Sequence, residues 1–403
     1  MQHILRRRGR AILLLMVFTA GGFLVARELA GQSRATVMAP YFEVDPLWPK
    51  PLPNHWVLGS SIGVSVDARD HVWMIHRGSA TLAEKEKALE TKLSDECCAG
   101  APPVLEFDAE GTLVGHWGGP SEGYDWPTSN HGITIDHKGN VWIGGNGEGD
   151  AQVLKFSKSG KFLLQIGKPD ARKGPLKDGK PTYVGNSNDT QAYGRVAKIF
   201  VDPVANEAYL ADGYLNKRVA IVDADSGKLK RFWGAYGNKP DDTDLGPYKP
   251  EAPPVQQFRT PVHCADLSAD GLVYVCDRKN NRIQVFKKDG AFVKEAFFAK
   301  NSLGDGSVFD LAFSKDPAQT YLYMADGNNM KIRILRRDTL EEITSFGDGG
   351  RQPGQFYAVH SIAVDSKGNL YTTETYEGKR LQKFVYKGLR AVSRKEQGTV
   401  WPR

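Results

Sequence analysis

From residue 60 onward, apolar and polar positions alternate with a period of two over short runs, and the runs come in pairs. The recurring unit reads apolar-x-apolar-Asp, a short turn often containing Gly, then Val or Leu followed by Trp or Tyr. Clear copies are GVSVDARDHVWMI from residue 63, GITIDHKGNVWIG from 132 and SIAVDSKGNLYTT from 361. Weaker copies begin at 198, 264 and 310. Each predicts a strand, a tight turn and a second strand, and each is followed by a further hairpin such as VLKFSKSGKFLLQIG. Four strands recurring every roughly 40 to 50 residues are the mark of propeller blades. Six copies predict an all-β fold, a six-bladed β-propeller.

The last copy ends in LQKFVYKG without a clear fourth strand. The N-terminal stretch YFEVDPLW at 41–48 can supply that strand, closing the ring and covering an open edge. The propeller is therefore expected over 41–390, with a C-terminal tail at 391–403. Three segments do not fit the blade template. Residues 78–103 hold a helix-forming run (LAEKEKALETKL) and then Cys97-Cys98; residues 169–194 are polar; residues 238–257 are rich in Pro and Asp. All three should emerge on one face of the ring, where long loops on a rigid scaffold commonly carry function.

Composition narrows the picture. The chain has 403 residues, 43 of them Gly, and a net charge of +6 with Lys and Arg interspersed among acids. No basic stripe suggests a nucleic-acid partner. Residues 1–35 combine Arg6, Arg7, Arg8 and Arg10 with the apolar run AILLLMVFTAGGFLVA, and Ser33 and Ala35 suit a cleavage site. This reads as an export signal or, if uncleaved, an N-terminal membrane anchor; either puts the domain in the periplasm or outside the cell. Cysteines there can be oxidised. Cys264 and Cys276 flank the blade-four turn symmetrically about Asp270, so antiparallel pairing sets them opposite each other, as a disulfide or as two buried thiols. Cys97 and Cys98 are left to each other.

The chemistry lies in the histidines. Five residues before the turn Asp or its equivalent stand His131, His263 and His360, in blades two, four and six; blades one, three and five have Ile62, Ala197 and Phe309 there. The first strand of each blade lines the axis, and alternate blades of six lie about 120° apart. Three histidines in one register thus converge on an axial point. Such a set fits a metal with an open coordination position, Zn foremost, although imidazole also accepts other divalent metals such as Cu, Ni or Fe. Any one of these histidines alone would more often be a packed, hydrogen-bonded side chain. His76 draws weaker notice beside Arg77.

At these residues the chain resembles the peptidyl-α-hydroxyglycine α-amidating lyases, six-bladed propellers of the NHL-repeat type with a three-histidine Zn site. The resemblance covers most of residues 60–388 and is sharpest at His76-Arg77-Gly78, Asn130-His131-Gly132, Asp212-Gly213-Tyr214, Val262-His263 through Asp277-Arg278, and Val359-His360. It implies that His131, His263 and His360 hold the metal, that Tyr214 is the catalytic base, and that Arg77 and Arg278 bind the carboxylate of a small or peptide-derived substrate. The implied reaction breaks the C–N bond of a carbinolamide, giving an amide and glyoxylate. The family follows its last histidine with an Asp that helps bind Ca; Ser361 stands there instead, which counts against a Ca site. The insertion at 78–103 is a second departure.

Three functions compete. The first is this metal-dependent lyase or a related enzyme, acting as a monomer. The second is a non-catalytic NHL-repeat propeller that recognises a peptide, protein or glycan through its loop face, which has no need of three histidines in alternate blades. The third, a Ca-dependent lactonase or esterase propeller, calls for Glu, Asn and Asp at the axial positions and ranks last.

Overall fold

The computed structural model describes residues 36–398 and 400–402. The expected export segment, residues 1–35, lies outside the described residues. Among these, no helix is long and apolar enough to cross a membrane.

Six four-stranded antiparallel sheets follow one another around a ring. Their inner strands are Ser61–Val66, Asn130–Ile135, Val196–Asp202, Val262–Leu267, Asp310–Phe313 and Val359–Val364. Each lies against the next, and Val359–Val364 returns to Ser61–Val66, closing the circle. The sixth blade is completed by Thr36–Asp45, paired antiparallel with Arg380–Ser393. The closing strand is thus the N-terminal one, as the sequence predicts. The propeller strands run from Thr36 to Ser393, starting earlier and ending later than the limits of 41 and 390 drawn from the sequence. The tail also packs back: the Val44 amide donates to the carbonyl of Val400, at 2.6 Å.

The repeated Asp and aromatic residue are explained by one device. In blade two, Asp136 Oδ1 accepts the amides of Lys138 (2.9 Å) and Asn140 (2.8 Å), holding the turn, while Oδ2 accepts the indole N–H of Trp142 at 2.9 Å. Asp67 with Trp73 and Asp365 with Tyr371 repeat it. A carboxylate capping a turn with one oxygen and anchoring a buried ring with the other ties turn chemistry to core packing. The core lies between neighbouring blades; Trp73 and Ile75 of blade one, for example, pack on Ile133, Ile143 and Phe156 of blade two.

A second repeated device ends the second strand of four blades. Asp212, Asp277, Asp326 and Glu374 take the guanidinium Nε of Arg218 (2.8 Å), Arg282 (2.7 Å), Arg333 (2.8 Å) and Arg380 (2.6 Å). In blade one the same position is His76, in blade two Gly145.

The irregular segments differ from expectation in detail. The run at 82–93 is not one helix but short turns, Glu84–Lys87 and Ala88–Thr91, after a turn at Gly78–Thr81. Side-chain and main-chain ties break it up: Glu86 accepts the Ala83 amide and the Lys379 ammonium, and the Leu89 amide donates to Cys98. Residues 169–194 contain a small hairpin, Lys173–Lys177 with Lys180–Tyr183. Disulfides join Cys264 to Cys276, directly opposed in the ladder, and Cys97 to Cys98. Both suit an oxidising compartment.

Candidate metal centre

The three histidines occupy equivalent bulges. In blade four Val262 pairs with Asp277 and Cys264 with Cys276, so His263 is the extra residue of a β-bulge. His360 is extra between the pairs Val359–Glu374 and Ser361–Thr373, and the register of blade two slips across His131 in the same way. A bulge re-aims a side chain and increases local twist. Here it turns each imidazole toward the axis. The ring centroids lie 5.1, 4.8 and 4.7 Å apart, all three side chains are buried, and one nitrogen from each falls within 4.8 Å of the others.

The partners of Nδ1 settle the tautomer. His131 Nδ1–H donates to the carbonyl of Ala197 (2.7 Å), His263 Nδ1–H to Phe309 (2.5 Å) and His360 Nδ1–H to Ile62 (2.6 Å). A carbonyl can only accept, so each proton sits on Nδ1 and each Nε2 presents a lone pair. The accepting residues are those in the histidine register of the next blade. Burial drives the imidazoles neutral: it holds His131 and His263 well below their ordinary range and His360 down to about 3, with neighbouring Arg278 adding to the effect at each.

Tyr214 closes the centre. Its hydroxyl oxygen is 2.9 Å from His131 Nε2 and 3.0 Å from His263 Nε2, and accepts an N–H of Arg278 at 3.1 Å. One hydroxyl hydrogen cannot serve three lone pairs. The buried set therefore has more acceptors than donors, the condition a cation relieves. Three neutral imidazoles from rigid strands, oriented by carbonyls behind them, match a catalytic metal site and its supporting shell. Tyr214 reaches this position because Gly213 lets its turn lie against the main chain of Val262, where any Cβ would overlap the carbonyl oxygen.

Arg77 and Arg278 each follow the end of the second strand, in blades one and four, which are opposite one another in the ring. Arg278 lies over the rings of Phe309 (4.6 Å) and Tyr214 (5.6 Å), and its Nε is buried without an acceptor. Arg77 donates to Asn146 Oδ1 at 2.8 Å and to the carbonyl of Asn130 at 3.4 Å. The three histidines, Tyr214 and Arg278 thus meet at one axial point, and Arg77 is near enough to bear electrostatically on His131 and His360. His76 plays a different part. Its Nδ1 accepts the amides of Gly59 and Gly78, both at 3.1 Å, and its Nε2 donates to Pro102 at 3.0 Å. It is a satisfied core histidine that shapes the turn carrying Arg77.

Sequence reasoning missed Tyr376 and Asp305. Tyr376 stands two residues beyond Glu374, as Tyr214 stands two beyond Asp212, and blades three and six are opposite. Aligning the ends of the second strands would have found it. Asp305 comes from a loop and has no register to betray it. It accepts an Arg278 N–H at 3.2 Å and the Tyr376 hydroxyl at 3.0 Å.

Next to the histidines, Ser361 donates to Asp310 at 2.7 Å, and the Lys198 ammonium lies 2.6 Å from Asp310 and 2.9 Å from Asp266. Burial alone would disfavour that ammonium, but the two carboxylates reverse the balance and raise its pKa. A positive charge already sits between these acids, and Cys264 beside them is spent in a disulfide.

An NHL repeat family model matches residues 262–286, the first three strands of blade four. Peptidyl-glycine alpha-amidating monooxygenase B of Xenopus laevis is 30% identical over 253 residues, 61% of this chain and 25% of that protein. The chain thus spans about a quarter of the length of that relative. A probable peptidyl-alpha-hydroxyglycine alpha-amidating lyase of Caenorhabditis elegans is 25% identical over 236 residues, 57% of this chain and 56% of the other. NHL repeat-containing protein 3 of Mus musculus is 24% identical over 382 residues, 90% of each chain. A solved Bacteroides thetaiotaomicron protein of unknown function shares the fold, with a TM-score of 0.50 and 12% identity over 87% of this chain and 77% of its own. The chain is a six-bladed β-propeller that matches an NHL repeat in its fourth blade and is similar to proteins named as peptidyl-glycine alpha-amidating enzymes.

Proposed function

We propose that the chain is a metal-dependent carbon–nitrogen lyase acting on a small or peptide-derived carbinolamide that bears a carboxylate. The observation that carries this reading is the convergence of three buried imidazoles, two of whose proton-free Nε2 atoms meet a single phenol oxygen that also takes a guanidinium N–H. His131, His263 and His360 would hold the metal, and a three-nitrogen donor set favours Zn. When bound, a divalent ion supplies Lewis acidity and offsets negative charge developing at the reacting oxygen.

The chain's own residues do the rest. Arg77 and Arg278, facing from opposite blades, grip the carboxylate through planar N–H pairs and fix the carbinol carbon over Tyr214. Tyr214, acting as base in its phenolate form, takes the carbinol hydroxyl proton and becomes the phenol. The electron pair of that O–H bond forms the carbonyl of glyoxylate, the C–N bond breaks, and the amide nitrogen takes the proton back. The low exposure of the three histidines and Arg278 keeps the step out of bulk water.

Metal analysis and turnover of an α-hydroxyglycine substrate test this together. Tyr214→Phe should keep the metal and lose at least about 100-fold in kcat, the lower range for a general base. Unchanged turnover in that variant removes Tyr214 from the chemistry. The match to NHL repeat-containing protein 3 over nearly the whole chain favours a second reading, a non-catalytic binding propeller. Protein that carries no divalent metal after mild purification at neutral pH would select it.

A further inference from the structure

The carboxylate expected to bind Arg278 has a rival inside the protein. Asp305 already accepts an Arg278 N–H at 3.2 Å, lies 3.8 Å from the Lys279 ammonium, and is tied by the Tyr376 hydroxyl at 3.0 Å. No acid of the described residues is paired in this way with Arg77, whose N–H groups go to Asn146 and a main-chain carbonyl. The two guanidiniums at the site are therefore not equivalent: one meets only neutral acceptors and the other a carboxylate.

Asp305 and Arg278 also differ in freedom. Arg278 is almost fully buried, stacked on Phe309 and bonded to Tyr214. Asp305 has 36% of its side chain exposed and sits between Gly304 and Gly306, both at positive φ. Gly306 packs against the main chain of Arg278 so tightly that a Cβ would overlap its carbonyl oxygen. The loop is thus pinned beside Arg278 at its base, while the Asp305 side chain can turn outward into water. Two carboxylates on one guanidinium repel each other, and Asp305, already partly exposed, can be taken up by water.

We infer that Asp305 is a specificity-determining residue of this site, a built-in carboxylate that competes with the substrate's for Arg278. It pairs with Arg278 in the free protein, weakens ligands that offer only a carboxylate, and reclaims Arg278 when glyoxylate leaves. Tyr376, the counterpart of Tyr214 across the ring, anchors this competitor. The inference rests on the reading of Arg77 and Arg278 as the carboxylate subsite.

Isothermal titration of the full metal-bound chain with N-acetylglycine and with glyoxylate tests it without requiring turnover. Asp305→Asn should bind both probes at least tenfold more tightly than the wild type, and Asp305→Glu, which keeps the charge, should stay within threefold of it. In turnover, Asp305→Asn should lower KM while kcat falls or holds, because release of glyoxylate slows. Equal or weaker probe binding by Asp305→Asn makes Asp305 a positioning residue for Arg278 and overturns the inference while leaving the carboxylate subsite standing. Absence of binding by all three proteins overturns the subsite reading and the inference with it.

Discussion

In blades two, four and six, the histidine register holds His131, His263 and His360, whose rings point to the axis. In blades one, three and five the same register holds Ile62, Ala197 and Phe309, and their main-chain carbonyls take the imidazole Nδ1 protons. One set of blades contributes side chains and the other contributes backbone. The register slips across Ile62 as it does across His360 and His263, so the bulge belongs to the repeat and not to the histidines. What differs is only which group each bulge presents. A carbonyl is available whatever residue occupies the odd blades, so the bond to each imidazole does not depend on the side chains of Ile62, Ala197 and Phe309.

The sharpest way to break this division is to change both sets and weigh the metal. His131→Ala, His263→Ala and His360→Ala combined should abolish binding of a divalent ion, read by elemental analysis of the purified protein. Ile62→Val, in the partner position of His360, should retain one ion per chain, because the carbonyl is untouched. Loss of metal in Ile62→Val would mean the odd-blade side chains shape the centre directly.

The blade-four bulge is the one locked by a covalent bond. Cys264 lies next to His263, and its bond to Cys276 holds the register on which the bulge depends. Replacing both cysteines by Ala should cost about 2–3 kcal/mol in urea unfolding, with an m value equal to or slightly above that of the wild type as the unfolded chain loses its cross-link. Metal affinity should fall further than in a control that alters an outer strand. Peptide mapping under non-reducing conditions checks the pairing itself; a bond from 97 or 98 to 264 or 276 contradicts the ladder.

Much of this was legible in the sequence because it repeats. The turn Asp with its following aromatic and the histidine register recur at fixed offsets, the opposed cysteines flank one such turn symmetrically, and each has a local physical cause. The N-terminal strand closing blade six followed from the missing fourth strand of the last copy. Residues 82–93 misled because their composition suits a helix, while the contacts that break the run, from Lys379 and Cys98, are distant in sequence or set by the disulfide turn. The bulges left no mark in the pattern, since an extra residue at a strand start looks the same as a longer turn. Asp305 was hidden for a related reason: its role is set by Arg278 and Tyr376, neither adjacent in the chain.

Blade one sharpens the comparison at the clamp that ends the second strand. Blades three to six place an acid there, paired with Arg; blade one has His76, buried and lowered to about 4 by desolvation, only partly opposed by its bond to Pro102. Between the ordinary value of 6.5 and that lowered value, the unfolded chain binds a proton that the folded chain refuses. The stability that neutral His76 contributes is full above this window and drains as pH falls through it, by about 1.4 kcal/mol per pH unit and up to about 3 kcal/mol in all. His76→Asn keeps an acceptor for the two glycine amides and does not titrate. Its urea stability should therefore fall less steeply than wild type between pH 6.5 and about 4.5. Parallel curves would place the acid sensitivity elsewhere, and the three axial histidines, common to both proteins, cancel in the difference.

The smallest effect probes the one odd-blade residue with a second role. Phe309 gives its carbonyl to His263, and its ring lies 4.6 Å from the guanidinium carbon of Arg278. Phe309→Leu preserves the first contribution and removes the second. A cation over an aromatic face is worth about 0.5–1 kcal/mol where partly exposed and more when desolvated, so the carboxylate probe should bind at least about two- to fivefold more weakly. The metal content should not change, since the carbonyl still fixes His263 with its proton on Nδ1. Kinetically, the loss should appear in KM more than in kcat, because Phe309 supports the group that holds the ligand and not Tyr214. A variant that loses metal along with affinity would show that the ring, and not only the backbone behind it, keeps His263 in place, and the division between side-chain and main-chain blades would then fail at blade five.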